Sequence, residues 1–385
     1  MTRPIIPRMT TRAPELDRPF PAVGVPPPRA RIYSHSGPLG LEAGGVLQDP
    51  IAAFETWGEL DDDRGNAVLV VTGLSPSSHA ASHEPGDEPG WWERMIGAGR
   101  PIDTDRWFVI CANVLGGCHG STGPSAPDPA TGEPYGMRFP FVTLRDLATF
   151  QRHLVRSLGI QRLHAACGGS LGGMIALEYA ASFPHEVGRV CAMNASGKTY
   201  PFAIALHHLQ RRAILADPAW LQGDYYAVGQ PAAGLALARG IGTVSYRSAA
   251  EFERRFGRAW QDGEPLTPGG LFEVESYVSH QAAKYPVTYD ANTYLFLSWA
   301  MDSHDLGRGR GSFEEGAGGI RADVVLVGTP SDLLTPTWEQ AELLAALQRA
   351  GREASLFSID VDTGHDSFLI AVAEFGAPLR QLLES

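Results

Sequence analysis

The sequence predicts an α/β fold built on a mostly parallel central sheet, with a helical lid inserted over one edge of that sheet. Two observations predict this fold. Continuous apolar runs, of which Ala67–Val71 and Asp323–Gly328 are the clearest, are typical of strands buried on both faces of a parallel sheet. Between residues 201 and 300 helical periodicity replaces such runs, which indicates helices that cover the sheet rather than extend it.

The length of the chain exceeds what one hydrophobic core usually fills. The chain has 385 residues, whereas a single core stops growing at roughly 250–300 residues. We therefore expect a flexible proline-rich arm over residues 1–30 and a lid over residues 201–300. The core is expected in two parts, over residues 31–200 and 301–385.

The charge and hydropathy of the chain exclude several classes of partner. The net charge is −12, and nucleic acids and anionic membranes both require a basic face. No apolar run approaches the roughly 18 residues of a membrane-spanning helix. The N-terminal residues also lack the apolar stretch of a signal peptide. We expect a cytoplasmic protein with neither nucleic acid nor membrane as its partner.

Four cysteines occur in the chain, at positions 111, 118, 167 and 191. None belongs to a Cys-x-x-Cys pair, and four cysteines in so long a chain do not make a disulfide framework. We therefore expect reduced and mostly buried thiols, no metal site and no permanently bound cofactor.

The remaining strands and helices are predicted from apolar runs and from helical spacing in the same way. Apolar or alternating runs predict strands at 30–34, 51–57, 107–111, 163–167, 187–193 and 354–359. Apolar residues at three- and four-residue spacing predict helices at 143–158, 202–214, 232–239, 249–256, 272–283, 292–301 and 337–348. Two polar loops, at residues 72–79 and 360–366, each follow a predicted strand. Ligands of open α/β sheets bind at the carboxyl ends of strands, so these loops are candidate site loops.

A glycine-rich turn at residues 168–172 carries the strongest signal for chemistry. Its sequence, Gly-Gly-Ser-Leu-Gly, follows an apolar run and precedes a helical pattern, which is the context of a nucleophile elbow. This turn makes Ser170 the candidate nucleophile and predicts the α/β-hydrolase fold. The alternative is a glycine-rich turn with a purely structural role.

A serine nucleophile needs a base, and that base needs a carboxylate to orient it. In α/β-hydrolases the chain order is serine, acid, histidine, and Asp332 and His365 follow Ser170 in that order. Both come after predicted strands, and the alternatives are a turn aspartate and a surface histidine. Asp360 and Asp362 are weaker candidates for the acid. The backbone amides of Leu74 and Leu171 are the candidate oxyanion hole.

Seven segments spread from about residue 45 to 380 carry a resemblance to a known family. They are 54–58 (Phe-Glu-Thr-Trp-Gly), 90–92 (Gly-Trp-Trp), 103–106 (Asp-Thr-Asp-Arg), 113–124, 168–174, 290–295 and 364–369. The chain resembles the homoserine O-acetyltransferase family of α/β-hydrolase-fold acyltransferases. The resemblance implies ping-pong transfer of an acyl group from acyl-CoA to an amino-acid hydroxyl. It also suggests a homodimer formed through the lid helices.

The same resemblance implies roles for individual residues. Ser170 would take the acyl group, His365 would activate the acceptor hydroxyl, and Asp332 would orient His365. Arg239, with Tyr246 seven residues later, would bind the acceptor carboxylate, and Asp366 would bind its ammonium. For Arg239 the alternatives are a solvated arginine at a helix end, and Arg211 as the carboxylate-binding residue in its place.

The chain departs from the family pattern at Pro76, where the oxyanion loop usually ends in glycine. The proline ring adds bulk beside the acceptor site, which favours L-serine over L-homoserine as the acceptor. The alternative is that Pro76 only stiffens the loop and does not affect the choice of acceptor.

The acyl donor is predicted from Leu334. Family members that use succinyl-CoA resemble one another in having arginine two residues after the triad aspartate. Leu334 occupies that position here, and its apolar side chain favours acetyl-CoA as the donor. Succinyl-CoA stays open, with His119 as a cation for its carboxylate. A serine esterase is the alternative of another class, and an intact triad argues against a non-enzymatic binding protein. The pathway stays open between methionine, cysteine and a specialised metabolite.

Overall fold

The computed structural model describes residues 24–262 and 269–385. Most of the predicted arm, residues 1–23, therefore lies outside the described residues. The last residues of that arm are not loose, because the Gly24 amide donates a hydrogen bond of 2.6 Å to the Cys118 carbonyl. Pro26 also packs so closely on Gly120 that a Cβ there would lie 2.6 Å from the proline Cβ. These contacts tie the start of the described chain to the loop at residues 118–120.

The strands of the described residues are listed in chain order. They are β1 (Arg31–Ser34), β2 (Pro38–Gly40), β3 (Val46–Gln48), β4 (Ile51–Trp57), β5 (Ala67–Val71), β6 (Phe108–Ala112), β7 (Leu163–Gly169), β8 (Val187–Met193), β9 (Trp260–Asp262), β10 (Leu271–Phe272), β11 (Asp323–Gly328) and β12 (Ala354–Ser358).

Within this described part, eight strands form one sheet in the order β1-β4-β6-β5-β7-β8-β11-β12. The pairings of β4 with β1 and with β6 are antiparallel, and all pairings from β6 to β12 are parallel. The predicted fold class is confirmed. Parallel strands end at the same edge, so the loops after β5, β7, β11 and β12 converge there.

The α-helices of the described residues are α1 (Leu144–Ser157), α2 (Leu171–Ser182), α3 (Pro201–Leu215), α4 (Ala232–Ser245), α5 (Ala249–Phe256), α6 (Glu273–Thr288), α7 (Ala291–Asp302), α8 (Phe313–Gly318), α9 (Thr337–Arg349), α10 (Ser367–Ile370) and α11 (Val372–Glu384). Short 3₁₀ helices span Gly136–Arg138, Pro218–Gly223 and Gly364–Asp366. None of these helices is both long and apolar enough to cross a membrane.

Both faces of the sheet are covered, as the continuous apolar runs require. Leu69 and Val71 belong to a core that includes side chains of α1 and α2. Val68 and Val70, whose side chains point to the opposite face, belong to a second core with side chains of α11. The four cysteines are buried and free, which agrees with the predicted reduced thiols.

The region between β8 and β11 contains α3 to α8 and has its own small aromatic core. It also contains the antiparallel pair β9 and β10, which was not predicted because two strands of three residues or fewer show no periodicity. Helix α4 runs past Gly240 and Gly242, beyond the predicted end at residue 239. A Cβ at Gly242 would lie 3.1 Å from Gln210 of α3, so this glycine permits close helix packing.

Candidate active site

Ser170 occupies the sharp turn between β7 and α2. Its φ of +53° and ψ of −127° lie in a region that non-glycine residues rarely adopt. The neighbouring glycines leave no room for side chains, since a Cβ at Gly172 would lie 2.2 Å from the Val71 carbonyl oxygen. A Cβ at Gly169 would lie 2.4 Å from the ring of Phe368. The strained turn is therefore held by packing on both sides, and it presents the Ser170 hydroxyl at the edge of the sheet.

The loops after β7, β11 and β12 bring three polar side chains into a hydrogen-bonded line. His365 Nε2 lies 2.8 Å from Ser170 Oγ, and His365 Nδ1 lies 2.8 Å from Asp332 Oδ2. The other oxygen, Asp332 Oδ1, accepts the backbone amides of Leu334 at 2.8 Å and Thr335 at 3.0 Å. This geometry is that of a nucleophile, a base and an orienting acid.

The two weaker candidates for the acid lie elsewhere. Asp362 forms an ion pair of 2.7 Å with Arg254, and Asp360 is exposed. Asp332, by contrast, is buried. The structure therefore places Asp332, rather than a carboxylate close in sequence, against the histidine.

The environment of His365 shifts its basicity. Burial lowers the pKa of the imidazole, but the charge and hydrogen bond of Asp332, with smaller contributions from Asp366 and Glu339, outweigh burial and raise that pKa above its usual value. Glu339 is itself a buried carboxyl group, and burial raises its pKa to about 8. A more basic imidazole is a stronger acceptor for the Ser170 proton.

The two predicted oxyanion donors belong to different segments of the chain. Leu171 is the first residue of α2, where the helix dipole favours negative charge. Leu74 follows β5, and neither amide donates a hydrogen bond within the part of the chain that the structure describes. Two tyrosines of the lid region hold the Leu74 loop: Tyr289 donates to the Leu74 carbonyl at 2.5 Å, and the Tyr285 hydroxyl lies 2.9 Å from Ser75 Oγ. Sequence reasoning missed both tyrosines.

A cavity of about 280 Å³ opens above Ser170. The core side of its lining includes Ser170, His365, Asp366, Leu334 and residues 73–76, so Pro76 lies at the cavity. The lid side includes His207, Arg239, Tyr246 and Met301. All four residues predicted to bind the substrate thus line one cavity with the triad serine. His119, the predicted cation for a succinyl carboxylate, packs instead against the ring of Tyr289 at 5.9 Å.

Arg239 is a cation of this cavity whose guanidinium contacts aromatic rings. Its guanidinium carbon lies 5.5 Å from the ring centre of Tyr246 and 4.9 Å from that of Tyr285. Among the described residues no carboxylate lies within ion-pair distance of Arg239. Arg211, the alternative carboxylate-binding residue, is already engaged, because it lies 2.6 Å from Asp302 Oδ2.

Asp366 has a partner that sequence reasoning missed. Its Oδ2 lies 3.3 Å from the guanidinium of Arg247. Burial raises the pKa of Asp366, while the cations Arg247, His365 and Arg239 oppose that effect. His207 was also missed: it lines the cavity and its Nδ1 lies 2.7 Å from Asp302 Oδ1. Neither Arg247 nor His207 stands in a motif that could have identified it.

Comparisons with known proteins agree with this geometry. A family model described as alpha/beta hydrolase fold matches residues 66–372. The homoserine O-acetyltransferase of Carboxydothermus hydrogenoformans is 43% identical over 90% of this chain and 93% of its own length. A serine O-succinyltransferase of Xanthomonas campestris pv. campestris is also 43% identical, over 93% of this chain and 98% of its own length.

The chain belongs to the homoserine O-acetyltransferase family.

Solved structures place this family member among enzymes of the same fold. A homoserine O-acetyltransferase from Bacillus anthracis superposes with a TM-score of 0.87 at 30% identity, covering 92% of this chain and 97% of the other. Esterase E22 superposes with a TM-score of 0.85 at 27% identity, covering 92% of this chain and 99% of the other. Like its relatives, the chain is an enzyme of the acyltransferase class on an α/β-hydrolase fold.

Proposed function

We propose that this family member transfers an acyl group from acyl-CoA to the side-chain hydroxyl of an α-amino acid, through an acyl-enzyme on Ser170. The observation that carries the proposal is the guanidinium of Arg239, which shares a cavity with Ser170 and has no carboxylate partner among the described residues. A planar guanidinium binds a carboxylate through two parallel hydrogen bonds. Asp366, in the same lining, offers negative charge for an ammonium group. Together they suit a zwitterion.

The reaction runs in two halves on the same three side chains. In the first, His365 Nε2 takes the proton of Ser170 as Oγ attacks the thioester carbonyl, and the amides of Leu74 and Leu171 hold the oxyanion. The CoA thiolate leaves with that proton. In the second half, His365 takes the proton of the acceptor hydroxyl, which attacks the Ser170 ester. The proton then returns to Ser170 Oγ, and the O-acyl amino acid leaves.

The proposed acceptor is L-serine, on the basis of Pro76. Its ring takes up space in a cavity of only about 280 Å³ and belongs to the oxyanion loop at residues 73–76. Relatives named serine O-succinyltransferase support a serine acceptor. L-Homoserine is the second candidate, because relatives of equal identity are named homoserine O-acetyltransferase.

Replacing Pro76 with glycine should move the preference toward homoserine. Removing the ring frees space for one more methylene, and a methylene in a hydrophobic site is worth a factor of roughly 10–200 in kcat/KM. The measurement is kcat/KM for both amino acids in the wild type and in Pro76→Gly. A wild-type preference for homoserine, or an unchanged ratio in the variant, contradicts the assignment of serine.

The proposed donor is acetyl-CoA. Leu334 presents an apolar side chain to the cavity, where the carboxylate of a succinyl group would need a cation. Relatives named homoserine O-acetyltransferase support an acetyl donor, and those named serine O-succinyltransferase keep succinyl-CoA as the alternative. A two-by-two assay of serine and homoserine against acetyl- and succinyl-CoA separates these possibilities.

A serine esterase is the second candidate from another class, because esterase E22 shares the fold so closely. The two classes differ in what the protein does with acetyl-CoA alone. The transferase forms an acyl-enzyme, seen by mass spectrometry as a gain of one acetyl group, and releases CoA rapidly only when the amino acid is added. Turnover of simple esters that is unaffected by serine or homoserine would support the esterase instead.

Replacing Arg239 with lysine should impair only the second half of the reaction. Lysine keeps the charge but loses the planar fork, and one lost hydrogen bond to a charged group costs about 1.5–3 kcal/mol. We expect KM for the amino acid to rise about 10- to 100-fold while the rate of acyl-enzyme formation is unchanged. Arg212→Lys, at an exposed position on α3, is the matched control. An equal loss in both half-reactions contradicts carboxylate binding by Arg239.

The pH dependence of acylation should follow His365. The imidazole must be neutral to accept the Ser170 proton, so kcat/KM for acyl-CoA falls as the pH drops through the His365 pKa. Because Asp332 raises that pKa above its usual value, the midpoint of the acidic limb should lie above about pH 6.5. Initial rates from about pH 5 to 9 give this midpoint. A midpoint well below 6.5 contradicts the proposed role of Asp332.

The cellular location and the oligomeric state remain predictions. The cytoplasmic location rests on the sequence alone. The homodimer rests on the family resemblance, supported by apolar side chains that are exposed on α3 and α4, among them Phe202, Leu209 and Leu237.

A further inference from the structure

A second group of polar side chains lies outside the catalytic cavity. It joins Glu55 of β4 with His79 and His83, which lie in the loop after β5. Glu55 Oε2 is 2.9 Å from His79 Nδ1 and 2.7 Å from His83 Nε2. The three ligand atoms all lie within 4.8 Å of one another. Glu55 belongs to the 54–58 motif and His79 ends the polar loop after β5, yet the proposed mechanism uses neither.

Each of the three side chains is held in place by a second contact. His79 Nε2 lies 2.7 Å from the Glu88 carbonyl oxygen, to which it can donate a hydrogen bond. A neutral ring with its proton on Nε2 has its lone pair on Nδ1, the nitrogen that faces the cluster. The ring of His83 stacks on Trp57 with centres 4.9 Å apart and an interplanar angle of 13°. Glu55 accepts a hydrogen bond of 3.1 Å from Ser78 on its other oxygen.

The geometry points to a site for a divalent transition-metal ion of the zinc type, held by Glu55 Oε2, His79 Nδ1 and His83 Nε2, with water as the fourth ligand. Zinc accepts this set of nitrogen and oxygen donors, and a second contact on each ligand is usual in such sites. Metal–ligand bonds of about 2.1 Å separate tetrahedral ligands by about 3.4 Å. The distances from Glu55 Oε2 to the two histidine nitrogens, 2.9 Å and 2.7 Å, need to open by about 0.5–0.7 Å to reach that spacing.

The side chains of the cluster differ in their exposure to solvent, and the difference provides a path by which an ion can enter. The Glu55 side chain is 0% exposed, whereas those of His79 and His83 are 14% and 23% exposed. An ion can therefore enter from the histidine side and meet the buried carboxylate. The sequence predicted no metal site because it lacks cysteine pairs, but that criterion does not test ligands contributed by histidine and glutamate from separate segments.

Such an ion would stabilise structure rather than take part in the proposed reaction. None of its three ligands lines the cavity above Ser170. Ligation would tie residues 79–83 to β4, and residue 79 follows closely after the oxyanion loop at residues 73–76. Metal binding should therefore raise the stability of the fold and of this loop.

The test is zinc binding by the full-length protein after removal of metals with EDTA. Titration with ZnCl₂ in a calorimeter should show one equivalent bound to the wild type. Its melting temperature should rise by about 2–4 °C at a zinc concentration 100-fold above Kd. Co²⁺ in place of Zn²⁺ should show the visible absorption of a four-coordinate ion. His83→Ala should lose at least about tenfold in zinc affinity.

His185→Ala is the matched control, since His185 is exposed and lies outside the cluster. It should bind zinc as the wild type does. The melting temperature in EDTA checks that His83→Ala folds, and His83→Gln replaces it if it does not. Absence of zinc binding by the wild type overturns the proposal. Equal affinity in the wild type and the His83 variant also overturns it, because the cluster is then a hydrogen-bonded ion-pair network only.

Discussion

Replacing Ser170 with alanine is expected to abolish the acyl-enzyme and to lower kcat/KM about 10⁴- to 10⁶-fold. The variant keeps the turn and the cavity but removes the oxygen that lies 2.8 Å from His365 Nε2. Incubation with acetyl-CoA followed by intact-protein mass spectrometry should show no added acetyl group. The wild type under the same conditions should gain one.

The matched control for this change is Ser157→Ala, at an exposed position near the end of α1. It removes the same hydroxyl group without touching the cavity, so activity should stay within a factor of about two of the wild type. An acetyl adduct that persists in Ser170→Ala would place the nucleophile elsewhere. It would overturn the assignment of the acyl-enzyme to Ser170.

Replacing Asp332 with asparagine should lower kcat about 10⁴-fold. Asp332 Oδ1 accepts two backbone amides, so the oxygen of the new amide takes that position and its NH₂ group faces His365 Nδ1. That NH₂ group donates, which leaves the ring proton on Nε2. An imidazole protonated on Nε2 cannot accept the proton of Ser170.

The Asp332→Asn variant should also differ from the wild type in its pH dependence. Without the charge of Asp332, the pKa of His365 should fall, so the acidic limb of the residual activity should move to lower pH. Asp362→Asn is the control, because Asp362 pairs with the exposed Arg254 instead of the histidine. A loss of less than about tenfold in Asp332→Asn, or no shift of the acidic limb, contradicts the orienting role.

The arrangement of Ser170, Asp332 and His365 could be predicted because each side chain follows a strand. A buried strand, a glycine-rich turn and a helix are local patterns, and the carboxyl ends of parallel strands meet at one edge. Three loops therefore had to converge once the strands pair in parallel. The pairings from β6 to β12 are all parallel.

The contacts of the lid could not be predicted in the same way. Tyr285 and Tyr289 hold the Leu74 loop, and Arg247 pairs with Asp366. Tyr285 and Tyr289 are more than 200 positions from the loop residues they contact, and no spacing rule links them. The length of α4 was underestimated for a related reason, because Gly240 and Gly242 weaken an isolated helix but permit close packing in this one.

The sequence by itself determined the fold class, the family, and which serine, acid and histidine meet. Those depend on strand and turn patterns that are written in consecutive residues. Only the tertiary structure decided that Arg239 contacts the rings of Tyr246 and Tyr285 without a carboxylate partner in the described chain. It also decided that Glu55 meets two histidines. Such placements depend on which faces of distant elements pack together, because packing rather than local propensity orients side chains across that distance.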